Sequence, residues 1–420
     1  MLEDIENEKE KPMVEIGSNM KSVKITNRAA MLKIIYNKGK SSQKNLSKEL
    51  NLTQGAVSLI CNEMMESGIL SVTGETIGEY QVGRKQVLVE VNYNYKYVIG
   101  VDISEGIAMI TLTNLNAEII EKRSLEFNIN ENPNSLLKEI ASEIIKLLWK
   151  NNISKESIVG VGITIVGVVD NLAGISLNDY KIWRKPVQIK EILEDELNLK
   201  VFVENNVCAF AIGETLFSGV GSCDNSLFLK WGPGVGSAII LNGVIYKAKN
   251  HSSAELGHTI VDLNGELCTC GNRGCVESFV SLASISKGLK NMAQDGNSEE
   301  LIKKLEKYNN KIDSNNVVEL LLVKDEKVEE YREHLVSVLA FATYNSSKII
   351  SPERVIIYGY MFESDEIVND FINVYKKIDN SETEIEFARS NYISKHNYIG
   401  AIAIAVRKGF LDIGGFYSKL

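Results

Sequence analysis

Four residues that bind soft metal ions, His258, Cys268, Cys270 and Cys275, fall within eighteen positions in the stretch E-L-G-H-T-I-V-D-L-N-G-E-L-C-T-C-G-N-R-G-C-V-E, Glu255 to Glu277. One imidazole with three thiolates is the ligand set of a closed tetrahedral zinc site, and four strong ligands leave no position open for a catalytic water. The expected ion is therefore a structural zinc. Gly271 and Gly274 between the cysteines let the backbone turn tightly enough for the sulfurs to face one ion. The competing account, buried or disulfide-bonded cysteines beside an unrelated histidine, needs chance to gather three of the six cysteines and one of the four histidines in so short a span.

At 420 residues the chain is too long for one small core and points to two or three domains. A hydrophobic share of 44% with 24% charged residues is ordinary globular protein. No apolar run of about 18 residues exists and the start, Met1-Leu2-Glu3-Asp4-Ile5-Glu6, is acidic, so neither a membrane span nor a signal peptide is expected. Cys61, Cys208 and Cys223 are scattered and read as free thiols in a reducing cytoplasm. The net charge of -9 argues against nucleic acid as a partner of the whole surface. Between Lys21 and Val91, however, ten basic residues stand against six acidic ones, so this segment is the candidate polyanion binder.

Residues 1–20 are charged, lack apolar periodicity and read as a mobile tail. From Asn27 the pattern is helical, with Ala30, Leu32, Ile34 and Ile35 on one face and a stop near Gly39. Ser42 is placed to cap a second helix with Leu46 and Leu50 inward, and Thr53 a third with Val57, Ile60 and Met64 inward. So short a link between the last two makes a helix-turn-helix whose third helix offers Gln54, Gly55 and Ser58 to base edges. Two β-like runs, 70–73 and 86–91, then flank a loop with Gly78, Gly83, Arg84 and Lys85, the pattern of a wing whose cations meet phosphate. A DNA-binding domain over 21–92 follows, with Ser42, Thr53, Gln54, Gly55, Ser58, Arg84 and Lys85 as candidate contacts.

Beyond a linker at 92–96, a hairpin (97–104 and 107–114), an apolar helix (135–150), a buried strand (158–164), a further strand (201–204) and a helix (206–217) alternate in the α/β manner. A second lobe starts with strands at 227–230 and 237–241. It continues with helices over 278–292 and 327–350 and a strand at 354–357, and the polar stretch 303–316 reads as a solvated excursion.

The arrangement H-x9-C-x-C-G-x2-G-C-x-E, opened by E-x-G-H, resembles the signature of the ROK family of repressors, open reading frames and sugar kinases, and the segment before Tyr97 resembles the winged helix-turn-helix of its repressor branch. The resemblance implies an α/β fold: a winged helix-turn-helix followed by a two-lobed, actin-like and hexokinase-like domain. Lobe I is then 97–215, completed by about 396–420, and lobe II is 216–395 with the zinc site. It also implies a sugar pocket lined by Gly167, Asn205, Asn206, Glu255, His258 and Glu277, with Asn178 and Trp183 in a loop over the ligand.

At four positions the chain departs from the family's kinases. The E-N-D motif reads Glu204-Asn205-Asn206, and an amide cannot accept the sugar's proton. D-x-G-G-T becomes Asp102-Ile103-Ser104-Glu105-Gly106, and Glu105 places negative charge where phosphates approach. G-T-G becomes Gly232-Pro233-Gly234, which removes a hydroxyl and an N–H. The glycine pair beside adenosine becomes Tyr358-Gly359. No catalytic residue is expected. The expectation is a sugar-responsive repressor of carbohydrate genes, binding operator DNA as a homodimer or higher homo-oligomer with no membrane association. The alternatives are a ROK sugar kinase with an appended DNA-binding domain, and a zinc-stabilised scaffold that has lost sugar binding.

Overall fold

The computed structural model describes residues 20–77, 86–129, 131–178, 182–183, 185–218, 225–251, 254–296, 298–381, 385–393 and 396–415. The chain divides into two compact units, Met1–Tyr95 with Arg407–Leu420, and Lys96–Val406.

The first unit begins with α1 (Met20–Lys38), whose face with helical spacing, Arg28, Met31, Leu32 and Ile35, is buried, while Ala30 and Ile34 lie half-buried beside it. β1 (Ser41–Ser42) precedes α2 (Gln43–Glu49), and α3 (Gln54–Glu66) follows a turn that Asn51 makes in the left-handed region at φ 52°. Ser42 accepts from Asn45 N at 3.2 Å and Thr53 from Ala56 N at 3.2 Å, so both expected caps form. β2 (Leu70–Ile77) and β3 (Gln86–Val91) complete an antiparallel sheet in the order β1-β3-β2. Residues 78–85, with Gly78, Gly83, Arg84 and Lys85, lie outside the described residues, as do Cys223 and the tail at 1–19.

The end of the chain belongs to this unit too. The buried Arg28 donates from Nε to the Gly414 carbonyl at 3.3 Å, and Lys33 pairs with Asp412 at 2.6 Å. The rings of Tyr95 and Phe410 meet at 6.3 Å. Gly414 is left-handed at φ 67°, and a Cβ there would come within 2.7 Å of Arg28 Cβ. The family resemblance implied that about 396–420 completes lobe I; the described residues 407–415 instead close over α1, because their partners lie nearly 400 positions away.

Lobe I of the second unit contains β4 (Tyr97–Ser104), β5 (Ile107–Asn114), β6 (Ile119–Glu126), α4 (Pro133–Lys150), β7 (Ile158–Ile165), the hairpin β8 (Val168–Asp170) and β9 (Ile175–Asn178), α5 (Ile189–Leu197), β10 (Val201–Asn205) and α6 (Asn206–Phe217). Its main sheet runs β10-β7-β4-β5-β6, with β4, β7 and β10 parallel and β4-β5-β6 an antiparallel meander. Strand alternation decides the two faces: Ile99, Val101 and Ile103 pack under α4 and α5, while Gly100 and Asp102 point the other way.

Lobe II contains β11 (Ser226–Trp231), β12 (Val235–Leu241), β13 (Val244–Ile245), α7 (Val276–Val280), α8 (Leu282–Gln294), α9 (Glu299–Lys307), α10 (Val317–Leu321), α11 (Glu326–Ile350), β14 (Arg354–Tyr358), α12 (Asp365–Ile378) and β15 (Glu386–Arg389). Its sheet, β15-β14-β11-β12-β13, repeats the topology of lobe I: a meander leading into parallel strands. The helix expected over 278–292 is broken at Ser281, where Leu282 N donates to the Pro233 carbonyl at 2.8 Å rather than along the helix, and Ser281 caps α8. The stretch 303–316 is not wholly a solvated excursion, since α9 buries Leu301 and Leu305 against the lobe II core. The chain returns to lobe I through α13 (Tyr398–Val406), buried along its length against Gly100 and Gly162, where a Cβ on Gly162 would overlap the Ala401 carbonyl. Among the described residues no helix is long and apolar enough to cross a membrane.

Candidate functional site

The metal-ligating residues converge. His258 ends a turn at Leu256–His258, and isolated bridges Ile260↔Cys275 and Leu267↔Arg273 fold the loop back on itself. Cys268 N donates to Asn272 O at 2.7 Å and Gly271 N to Cys268 O at 3.0 Å, with Gly271 at φ 94° and Gly274 at φ 69°. A Cβ at Gly274 would overlap the Asp262 carbonyl, so the approach of the two segments requires glycine there. The four ligand atoms all lie within 4.8 Å of one another, with His258 Nδ1 3.6 Å from Cys268 Sγ and Cys270 Sγ 3.6 Å from Cys275 Sγ. A tetrahedron of zinc–sulfur bonds of about 2.3 Å has edges of roughly 3.8 Å, whereas a disulfide needs about 2.05 Å. The donor set and its spacing therefore fit one four-coordinate ion, and the disulfide alternative is excluded for these cysteines.

A pocket opens between the lobes, walled by Gly167 and Asn205 from lobe I and by Lys247, His251 and Glu255 from lobe II. Gly167 turns at φ 90°, and its carbonyl accepts from Asn205 Nδ2 at 2.7 Å. Asn205 Oδ1 accepts from Val207 N and Cys208 N at 2.9 and 3.1 Å, capping α6. One side chain thus ties the strand-end turn to the helix start. Glu204, almost wholly buried, receives Asn171 Nδ2 at 2.9 Å, Asn205 N at 2.9 Å and Lys247 Nζ at 2.6 Å. Burial opposes the Lys247 ammonium, but its neighbours outweigh it and raise its pKa. Cys208 is itself pushed up to about 11 by burial and is a neutral thiol at pH 7, so Glu204 is the partner that matters. Ser237 donates to the Ala254 carbonyl and accepts from Leu256 N at 3.3 Å, holding the segment that presents Glu255.

Of the residues the sequence assigned to a sugar pocket, the fold brings Gly167, Asn205 and Glu255 to this wall. Asn206, the first residue of α6, is outside it; His258 turns Nδ1 to the cysteines; Glu277 accepts from Val235 N at 3.4 Å beside Gly234. Trp183 does not close over the pocket but is buried in the lobe I core, and Asn178 ends β9, exposed. Lys247 and His251 of this wall were missed, because single polar residues in a loop carry no periodic signal. The one available cue was that His251 lies seven residues before the E-x-G-H histidine.

Of the positions that the family resemblance matched to the kinase nucleotide site, Asp102 and Tyr358 are buried, while Glu105 and Pro233 are exposed. Asp102 is buried and receives Ser104 Oγ at 2.9 Å and Thr164 Oγ1 at 2.7 Å. Gly232 N and Gly234 O close the Pro233 turn at 3.0 Å. The Tyr358 ring is buried against Phe210, and burial raises its hydroxyl far above the ordinary tyrosine value.

On α3 the N-terminal residues Thr53, Gln54 and Gly55 are exposed and Ser58 is half-buried. Ser42 must be corrected: it is buried, with its oxygen engaged by Asn45 N, so it supports α2 and does not reach DNA. Several of the segment's cations are paired, Lys24 and Arg28 with Glu63 and Lys38 with Glu49, and Asp412 from beyond the segment pairs with Lys33 and lowers its basic excess by one.

Comparison with known proteins gives a consistent picture. The ROK family profile matches residues 98–408, and a winged helix-turn-helix DNA-binding profile matches 27–71. The xylose repressor of Bacillus spizizenii W23 is 26% identical over 399 residues, covering 93% of this chain and 97% of that repressor. The DNA-binding transcriptional dual regulator NagC of Escherichia coli K12 is 24% identical over 410 residues, covering 94% and 95%. Among solved structures, a ROK family transcriptional regulator described as a homologue of the E. coli MLC protein superposes with a TM-score of 0.80 at 22% identity, covering 93% of this chain and 97% of that one. A ROK family glucokinase from Streptomyces griseus in complex with glucose and AMPPNP gives 0.62 at 20% identity, covering 74% and 98%.

Proposed function

The chain belongs to the ROK family, and from that footing we propose that it is a sugar-responsive, DNA-binding transcriptional regulator that represses carbohydrate genes. The observation that carries this reading is the joining of a winged helix-turn-helix and a ROK domain in one chain, an arrangement that relatives named as a xylose repressor and a DNA-binding transcriptional dual regulator match over 93–94% of its length. The α3 residues Thr53, Gln54, Gly55 and Ser58 meet operator bases, with Arg84 and Lys85 of the wing on phosphate. The recognition helices act as a pair in a cytoplasmic homodimer, because two half-sites spaced by a helical turn need two heads.

The effector is a sugar held between the lobes by Gly167, Asn205 and Glu255. Carboxylate acceptors and amide donors on opposite walls suit vicinal hydroxyls. A structural zinc on His258, Cys268, Cys270 and Cys275 would hold the segment that leads from Glu255. Sugar bound on both lobes favours the closed cleft, and the regulator responds only to the extent that the two forms differ in sugar affinity.

The chain is a sensor and not a kinase. Asn206 stands where a base is needed, Pro233 removes a donor from the phosphate turn, and Tyr358 fills the nucleoside side. Fluorescence anisotropy with the DNA upstream of its own gene, read with and without a panel of monosaccharides, tests the reading. Saturable, salt-sensitive binding that one sugar shifts is expected. Binding indifferent to every sugar, or sugar-dependent ATP consumption, overturns it.

A further inference from the structure

We infer that His251 is a specificity-determining residue of the pocket, its imidazole taking a hydroxyl of the bound monosaccharide; this rests on the sugar-sensor reading above. His251 sits in the left-handed region at φ 60°, where most side chains are disfavoured, glycine is at ease, and Asn, Asp and His are the better tolerated of the rest. The turn it closes needs only the backbone, since His251 N donates to the Ala248 carbonyl at 3.0 Å. Nothing in the loop's own geometry calls for an imidazole, yet one stands at the pocket wall.

The other polar side chains of that wall are engaged: Asn205 by Gly167 O and the α6 amides, Lys247 by Glu204, Ser237 by Ala254 O and Leu256 N. Glu255 too has a partner. The His251 ring alone makes no hydrogen bond to the described residues. Its nearest charged neighbour is Asp170 Oδ2, 3.7 Å from Nε2 and beyond hydrogen-bond reach. Asp170 is held by its own turn, Oδ1 accepting from Leu172 N and Ala173 N at 3.0 Å each. The imidazole thus faces Asp170 of lobe I at 3.7 Å while its ring nitrogens keep their capacity for a ligand. A site built to pair with one hydroxyl discriminates strongly against an analogue that lacks it, because the polar group is then left unpaired.

The test compares full-length wild type with His251→Gly and His251→Asn. Calorimetric titration uses D-xylose, D-glucose, D-mannose and N-acetylglucosamine, and thermal unfolding is followed in parallel. His251→Gly should leave the melting temperature unchanged or raise it, weaken the preferred sugar at least tenfold, and narrow the ratio between preferred and second sugar. His251→Asn, which tolerates the backbone and keeps a donor and an acceptor, should recover part of the affinity. Unchanged affinities in His251→Gly, or a clear fall in its melting temperature, overturn the inference and leave the sensor reading intact. A wild type that binds no sugar overturns both.

Discussion

The ring of Tyr358 lies on that of Phe210 with centroids 3.8 Å apart and planes 26° from parallel, and its hydroxyl donates to Asn397 Oδ1 at 2.7 Å. Phe210 comes from α6 of lobe I and Tyr358 from β14 of lobe II, so the stack joins the two lobes. Removing it should open a cavity without creating a catalyst. Tyr358→Ala should lower stability by roughly 3–5 kcal/mol, as large aromatic deletions do, and Tyr358→Phe by about 1 kcal/mol for the lost hydrogen bond. Denaturant unfolding measures both, and a coupled ADP assay should stay at background for wild type and variants alike.

The cluster of His258, Cys268, Cys270 and Cys275 should carry one zinc per chain by elemental analysis. Stripping it with a chelator, or replacing the buried Cys275 by serine, should lower the melting temperature by roughly 5–10 °C, a loss of a few kcal/mol in a protein of this size. Sugar affinity should fall with it. Protein that purifies metal-free with unaltered stability and binding contradicts the assignment.

Gln54 is exposed at the start of α3, whereas Ser42 is buried under α2. Gln54→Ala should weaken operator binding by about 1–3 kcal/mol, the scale of one base contact, and leave unfolding unchanged. Ser42→Ala should do the reverse, costing about 1 kcal/mol of stability through the lost cap. Gel-shift titration alongside thermal melts separates the two roles.

Arg28 is buried between Glu63 and the Gly414 carbonyl, and burial lowers its pKa. Arg28→Ala would leave the Gly414 carbonyl without its partner and empty a buried site, while Glu63 keeps Lys24, so a loss of roughly 1–3 kcal/mol is expected. A chain ending at Val406 should lose DNA affinity for the same reason. Urea titration of the variant and anisotropy of the truncated chain check this, and an unaffected truncation would show that the last segment contributes nothing to the DNA-binding unit.

Glu214 on α6 is buried, which raises its pKa; Ser390 Oγ, donating at 2.6 Å, and Asn391 N offset this only in part. The folded state therefore holds this proton more tightly than the unfolded chain. Stability from this group is fully present below the unfolded carboxyl pKa and declines as pH rises through the folded value. Glu214→Gln should stabilise the protein at pH 8, with the gain vanishing near pH 4. A gain that grew in acid would show that the carboxylate is held charged.

Local patterns were readable where neighbours in sequence decide the outcome. The caps Ser42 and Thr53, the hairpin 97–114 and the start of α6 at Asn206 depend on residues within a few positions, and each formed as expected. The break at Ser281 was invisible because the Pro233 carbonyl that takes the Leu282 N–H lies between β11 and β12, some fifty positions earlier in the chain. Ala30 and Ile34 were read as core for the same kind of reason: periodicity says that a helix has a face, and only packing says which residues are at its centre.

The His258, Cys268, Cys270 and Cys275 cluster could be named from spacing alone, since three thiolates and an imidazole on a glycine-bearing loop have few other uses, and so could the third helix of the first unit from its Thr53 cap, whereas the reading of Asn206 needed the family resemblance. Assembly settled what spacing could not. It carried Gly414 to Arg28, laid Tyr358 on Phe210, and set Lys247 and His251 opposite Glu204 and Asp170, contacts between residues that the chain holds far apart. A pocket formed between two lobes is a property of distances in space, and those exist only once both sheets have folded and α13 has packed back against the first.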